Sequence, residues 1–245
     1  MRYRALVEYD GSDFLGYQRQ RAGTRTVQGE LERVLSQLAR QPVVVTGAGR
    51  TDTGVHALGQ VISFTIEWRH DTPALQRALN ANLPADIVVR DVRQTWLTFH
   101  PRFDARARSY AYTVYQAAVR SPLQRRRSWY VRRPLDLAQM NQAEALLVGV
   151  HDFATFGMPP QGESTVREVF AASWAAEDSF LVFRITANAF LYRMVRSLVG
   201  SLVAVGLGTW SVEVFAAAFR AADRNRSAAA APPQGLVLAS ISYEE

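Results

Sequence analysis

The sequence holds one acid placed to do chemistry: Asp52, inside GAGRTDTGVHALGQV, residues 47–61. Gly47, Gly49 and Gly54 let the backbone around it turn tightly or approach a ligand closely. Arg50, two residues earlier, is placed to meet an anion. A carboxylate held ionised by a neighbouring cation can add to an electrophilic carbon or remove a proton. The bland alternative is an Asp that caps a turn. Asp52-Thr53-Gly54 also spells the tripeptide of aspartic proteases, whose chemistry needs two carboxylates sharing a proton. Only one copy of the tripeptide is present, and Arg50 would drive both acids of a dimer towards full ionisation. The glycines do not fit the phosphate-loop spacings, and no Lys-Ser/Thr follows them.

A second candidate is Arg196. The run NAFLYRMVRSLVGSLVAVG, 188–206, reads as a helix from about 189 to 205 that is apolar around most of its circumference. Arg193, nearer its start, reaches the surface in this reading. Arg196 lies deeper and needs an acceptor, because a buried unpaired guanidinium is costly. Asp52 is the partner the sequence favours. A third candidate is Tyr110, in the strand SYAYTVY. Tyr110 and Tyr112 are two apart and share a sheet face. One ring is expected in the core, and the other is free to stack on a base.

Charge points to a class of partner. The chain has 245 residues, a net charge of +6, 28 basic residues that are all arginine, and no cysteine. Disulfides, zinc–thiolate sites and thiol nucleophiles are excluded. His56, His70, His100 and His151 show no metal-ligand spacing, so no metal is expected. Between Arg102 and Arg133 lie nine arginines and one acid, Asp104. Trp129 and Tyr130 fall within that stretch, and Arg125, Arg126 and Arg127 form its densest run. Arginine mixed with aromatics fits a nucleic-acid surface. The start, MRYRALVEYDGS, lacks the pattern of a signal peptide. The uncharged run 197–212 is broken by three glycines and is too short for a span of about 18–20 residues. A soluble, cytoplasmic protein with no membrane partner is expected.

The elements that must position these residues are read from periodicity. The first half gives a strand at 3–9, a helix at 26–40 capped by Thr26, strands at 42–46 and 60–66, a helix from Pro73 to before Pro84, and a strand at 86–92. The second half gives a strand at 109–115 and a helix at 136–148, with Asp136 and Gln139 spaced as a capping box. Strands follow at 166–174 and 180–186, then the long apolar helix, a helix at 211–222 and a strand at 236–243. Both halves run β-α-β-β-α-β, the ferredoxin-like order. The fold class is therefore α+β: two ferredoxin-like halves, 1–105 and 106–245, joined into one extended, mostly antiparallel sheet. Helices cover one face, and a central cleft holds the site.

The chain resembles the tRNA pseudouridine synthase A (TruA) family along nearly its full length. The resemblance is carried in order by YDGSDFLGYQRQ (9–20), GRTDTGVHA (49–57), FHPRFDARARSYAY (99–112), HDFATF (151–156), NAFLYRMVRSLVGSL (188–202) and PQGLVLASISY (233–243). It implies isomerisation of uridine to pseudouridine on the 3′ side of the tRNA anticodon stem-loop, at tRNA positions 38, 39 and 40. Asp52 matches the catalytic aspartate, Tyr110 a tyrosine stacked on the target base and given a proton-transfer role, and Arg196 the basic partner of the aspartate. Arg50 matches an arginine linked to nucleotide flipping, and Leu236 a residue packed against the base. The resemblance further implies a homodimer with tRNA contacting both subunits, and no metal or organic cofactor. Tyr17 stands where a tryptophan is common, and Ser109 and Ala111 replace the usual arginines around Tyr110. Two rival functions are a non-catalytic RNA-binding module and, remotely, a dimeric aspartic protease.

Overall fold

A computed structural model describes residues 1–21, 23–159 and 162–244. The chain divides into two compact units. Unit 1 comprises Met1–Arg106 with Val237–Glu245, and unit 2 comprises Ala107–Leu236. The described residues form ten strands and five α-helices, and the fold is α+β.

Unit 1 begins with strand β1, Arg2–Tyr9, whose alternating pattern buries Tyr3, Ala5, Val7 and Tyr9 on one face. Helix α1, Val27–Ala39, starts at Thr26, whose side chain accepts the Gly29 N–H, and buries Leu31, Val34 and Leu35. After it come β2 (Thr46–Gly47), β3 (His56–Thr65), helix α2 (Thr72–Asn82) and β4 (Ile87–Gln94). The order is β4-β1-β3, antiparallel throughout. Helix α2 packs on β4, and α1 on α2. The remaining edge of β3 is shared. Its C-terminal part takes β2 (Thr46↔Ser63). Its N-terminal part takes the last strand of the chain, β10 (Leu236–Tyr243), in parallel (Val237↔His56). On the sheet face opposite Tyr3 and Val7, Ala48, Val61 and Phe99 form a small core with Leu6, Ile241 and Tyr243.

The strand expected over 42–46 shrinks to Thr46–Gly47. Val43 and Val45 are buried, as the alternation predicts. Their backbone donors, however, go to side chains of α1: Val43 N–H to Ser36 Oγ (2.9 Å) and Val45 N–H to Glu32 Oε1 (3.0 Å). A strand whose donors are taken by a helix cannot extend a ladder.

Unit 2 contains β5 (Ala105–Gln116, starting at the boundary), β6 (Trp129–Val131), α3 (Leu137–Glu144), β7 (Gly149–Asp152), β8 (Val166–Glu177), β9 (Phe180–Ala187), α4 (Met194–Gly206) and α5 (Val212–Arg220). Its strand order is β5-β9-β8-β7, antiparallel, with β6 paired parallel to β5. Helix α3 packs on β8, α4 and α5. HDFATF builds an aromatic core: Phe153 and Phe156 are fully buried and meet Phe215 and Phe219 at ring-centroid distances of 5.1–5.7 Å.

Three expectations for unit 2 change. Helix α4 starts at Met194, not near 189, because Tyr192 N–H bonds Met158 O (2.8 Å) and Arg193 takes a left-handed φ of 62°. The capping box at α3 is half built. Asp136 accepts the Gln139 N–H at 3.0 Å, but its own N–H goes to Gly206 O at 2.9 Å. Strands β6 and β7, of three and four residues, went unread because such short segments show no resolvable period.

Candidate active site

In unit 1 the loop between β2 and β3 carries Asp52, half-buried, and Arg50, exposed. Its backbone is fixed by the 9–20 segment. Tyr9 and Thr51 share a buried hydroxyl hydrogen bond of 2.7 Å. Tyr17 N–H donates to Thr51 O at 3.1 Å. The residue before the acid is thus held through both side chain and main chain. Val55 N–H closes back on Asp52 O at 3.1 Å, with Gly54 at φ 78°. On the other flank, Gln60 bonds Gly49 twice, giving its amide to the carbonyl (2.7 Å) and accepting the N–H (3.2 Å).

Close approach explains two glycines of the 9–20 segment. A Cβ on Gly11 would stand 1.9 Å from Val55 O. Gly16 has φ +90°, and a Cβ there would press on Thr51 O at 3.0 Å. Beside them, the Gly11 N–H donates to His56 Nδ1 (3.0 Å), which lies 3.1 Å from Asp10 Oδ1. Tyr17 is fully buried, and burial raises its phenol pKa well above the ordinary value. Its hydroxyl has no hydrogen-bond partner among the described residues. The sequence reading did not identify Tyr9, Thr51, Gln60 or His56. The glycines at 11 and 16 were the available signal, but nothing in the sequence says which backbone they press against.

In unit 2 the relevant residues gather around the segment 228–236. Arg196 lies in the first turn of α4, half-buried, rather than deep within it. Its Nε donates to Ala231 O (2.8 Å), and the Ala231 N–H returns to Arg196 O (2.9 Å). Upstream, the 229 carbonyl rests on Gly200, where a Cβ would come within 2.0 Å. Downstream, Pro232 O accepts the hydroxyl of Tyr112 at 2.8 Å. Gly235 lies against the Tyr112 ring, where a Cβ would meet Cζ at 2.6 Å. Leu236 follows, buried. Tyr112 is the core ring of the pair, and burial raises its pKa. Tyr110 is half-buried and meets Phe190 edge-on at 4.9 Å.

Arg193 is exposed, with its guanidinium 5.1 Å from the Tyr192 ring. Arg125, Arg126 and Arg127 sit exposed on the turn between β5 and β6. Arg224, not singled out by sequence, ties the aromatic core to α4 through Thr155 O (2.9 Å) and Ser197 Oγ (3.0 Å). Among the described residues, no group of three or more His, Cys, Asp or Glu could hold a metal ion. No helix is long and apolar enough to cross a membrane.

Two α+β units, one offering a braced aspartate and the other an anchored arginine and a half-buried tyrosine, define a class of protein that also has a family model. The model for tRNA pseudouridine synthase matches residues 5–104 and 143–244. The chain belongs to the tRNA pseudouridine synthase family. It is 42% identical to a tRNA pseudouridine synthase A of Geobacillus sp. (strain WCH70), covering 99% of this chain and 98% of that one. It is 42% identical to one of Neisseria meningitidis serogroup B, covering 100% and 92%. It is 38% identical to one of Pseudothermotoga lettingae, covering 99% of each. Among solved structures, an H/ACA RNP bound to a substrate RNA containing 2′-deoxyuridine aligns with a TM-score of 0.40 at 10% identity, over 82% of this chain and 43% of that one. The chain is an enzyme of the family's class, an isomerase converting uridine to pseudouridine in tRNA.

Proposed function

We propose that this enzyme acts on uridines 38, 39 and 40 of the anticodon stem-loop, with Asp52 as its catalytic carboxylate. The reaction breaks the bond from C1′ to N1 and forms one from C1′ to C5. N1 gains a proton and C5 loses one, so no redox partner is required. Asp52 serves by adding to the sugar or base, or by taking a proton from the sugar. Arg196 holds that carboxylate ionised. Tyr110 stacks on the uracil and moves the C5 proton. Arg50 fills the place of the extruded nucleotide, offsetting an unstacking cost of a few kcal/mol. Leu236 packs against the base. Arg125, Arg126 and Arg127 meet backbone phosphates. The enzyme works in the cytoplasm as a homodimer with tRNA contacting both subunits.

The observation that carries this reading is the bracing of the loop at Thr51. The Thr51 hydroxyl bonds Tyr9, the Thr51 carbonyl accepts the Tyr17 N–H, and the Asp52 carbonyl accepts the Val55 N–H, so the backbone on which Asp52 stands is fixed independently of its carboxylate. Asp52→Asn is therefore expected to keep the fold and tRNA affinity. It should release no tritium above background from tRNA labelled at uracil C5. Turnover by Asp52→Asn at a tenth of the wild-type rate would end the assignment. Pseudouridine mapped outside positions 38–40 would end the positional reading alone.

A further inference from the structure

Unit 1 holds a hollow of about 510 Å³ whose walls include Trp96, Phe103, Asp104, Arg106, Tyr243 and Glu244. None of these is on the loop that carries Asp52. Trp96 is 55% exposed and Phe103 is 70% exposed. Single exposed apolar side chains are ordinary, but two large rings bordering one concavity are not. Both rings are braced. Trp96 stands edge-on to fully buried Phe99 at 5.2 Å. Phe103 lies against the His100 ring at 4.3 Å, with the Arg102 guanidinium 5.7 Å from its own ring.

The turn between these rings is locked from within. His100 Nδ1 accepts the N–H groups of Arg102 and Phe103 (3.2 and 3.3 Å). Asp104 Oδ2 accepts the His100 N–H (2.9 Å). Tyr243 donates its hydroxyl to Pro101 O (2.8 Å) and packs on Phe99. Rings held in advance lose little conformational freedom when something stacks on them. On the rim, Arg106 pairs with Glu244 in an exposed bridge. Such a pair is weak and opens readily to another anion.

We propose that this hollow is a stacking site for an unpaired nucleobase of the tRNA, distinct from the pocket that takes the reacting uridine. The base lies against Trp96 and Phe103, and Arg102 and Arg106 face the flanking phosphates. Aromatic faces interleaved with guanidinium groups are what single-stranded nucleotides select. A purely electrostatic tRNA surface would have no use for the rings. The inference rests on tRNA being the substrate.

The test uses the full chain and an unmodified tRNA transcript, with affinity measured across a salt series. Trp96→Ala and Phe103→Ala remove exposed rings, so the fold should hold. Each should raise Kd by about 5- to 150-fold, the range of base–aromatic stacking. The slope of log Kd against log salt should stay unchanged, because no phosphate contact is lost. Trp96→Phe should recover most of the affinity. Kd within twofold of wild type for both alanine variants would overturn the proposal. So would a variant that dissociates the free protein in sedimentation, since the rings would then be joining protein copies. Tritium release by the wild-type enzyme, run in parallel, reports separately on whether tRNA is the substrate.

Discussion

The two units hold their candidate functional residues by opposite means. Around Asp52, main chain and neighbouring hydroxyls fix the loop, and the glycines at 11 and 16 let two strands of backbone meet. At Arg196, the candidate side chain is itself a structural tie, through its bond to Ala231 O. The aspartate is supported by its surroundings, whereas the arginine supports its own. Replacing the acid should therefore leave the loop's backbone bonds in place, whereas replacing the arginine should remove a tie to the main chain. A pair of buried glutamates repeats the contrast. Glu32 in unit 1 accepts from Arg19 (2.7 Å), Gln28 (3.0 Å) and the Val45 N–H (3.0 Å). Glu144 in unit 2 is equally buried, and no donor reaches its side chain among the described residues. Burial pushes its carboxyl up to about 7.

The largest effect expected from this comparison is at Gly11. Gly11→Ala drives a methyl into Val55 O and should destabilise by roughly 3 kcal/mol or more, with activity lost alongside. Gly49→Ala, where an added Cβ meets nothing within 4 Å, is the control and should leave the melting temperature unchanged. Equal melting temperatures for the two variants would mean that the 9–20 segment does not brace the loop.

Arg196→Met should lower stability by about 1–3 kcal/mol, because the Ala231 carbonyl loses a charged donor. It should also reduce tritium release at least a hundredfold. A variant that is inactive but as stable as wild type would break the contrast and make Arg196 a purely chemical residue.

Glu144 gives the third test. Its folded pKa of about 7 lies above the unfolded carboxyl value of 4.5. Between those values the folded state holds a proton that the unfolded state has released, so stability falls as pH rises from about 4.5 to 7 and then levels off. Glu144→Gln should add about 1–2 kcal/mol at pH 8, allowing for solvent screening, and almost nothing at pH 4.5. Denaturant melts at the two pH values check this, and an equal gain at both would sink the cause given. The smallest effect is at Tyr17, where Tyr17→Phe removes a buried hydroxyl with no partner among the described residues. It should stabilise by about 1 kcal/mol. A loss of stability instead would show that the hydroxyl is satisfied.

Much of the architecture could be read from periodicity because one face of each element is buried. The strand expected at 236–243 is β10 to the residue, and Thr26, Asp136 and Pro73 mark helix starts. Reading failed where a distant group claims the backbone, as Glu32 and Ser36 claim the donors at 43–45 and Met158 that of Tyr192. No local pattern records such a claim. The candidate site divides in the same way. Asp52, Arg50, Arg196 and Tyr110 are proposed from residue type and motif, but Thr51 and Gln60 look like any loop Thr or strand Gln until the 9–20 segment and Gly49 are placed beside them. Leu236 came from resemblance alone. Its neighbour Gly235 shows why the segment takes that path, since only a residue without a side chain fits against the Tyr112 ring.

The partner of Val237 on strand β3 is His56, most of the chain away. On a ribosome, unit 2 can therefore be fully extruded while the earlier-made unit still lacks a strand along the very edge that leads into the Asp52 loop. Order of manufacture and order of completion are reversed, so the loop's final setting awaits a strand made long after it.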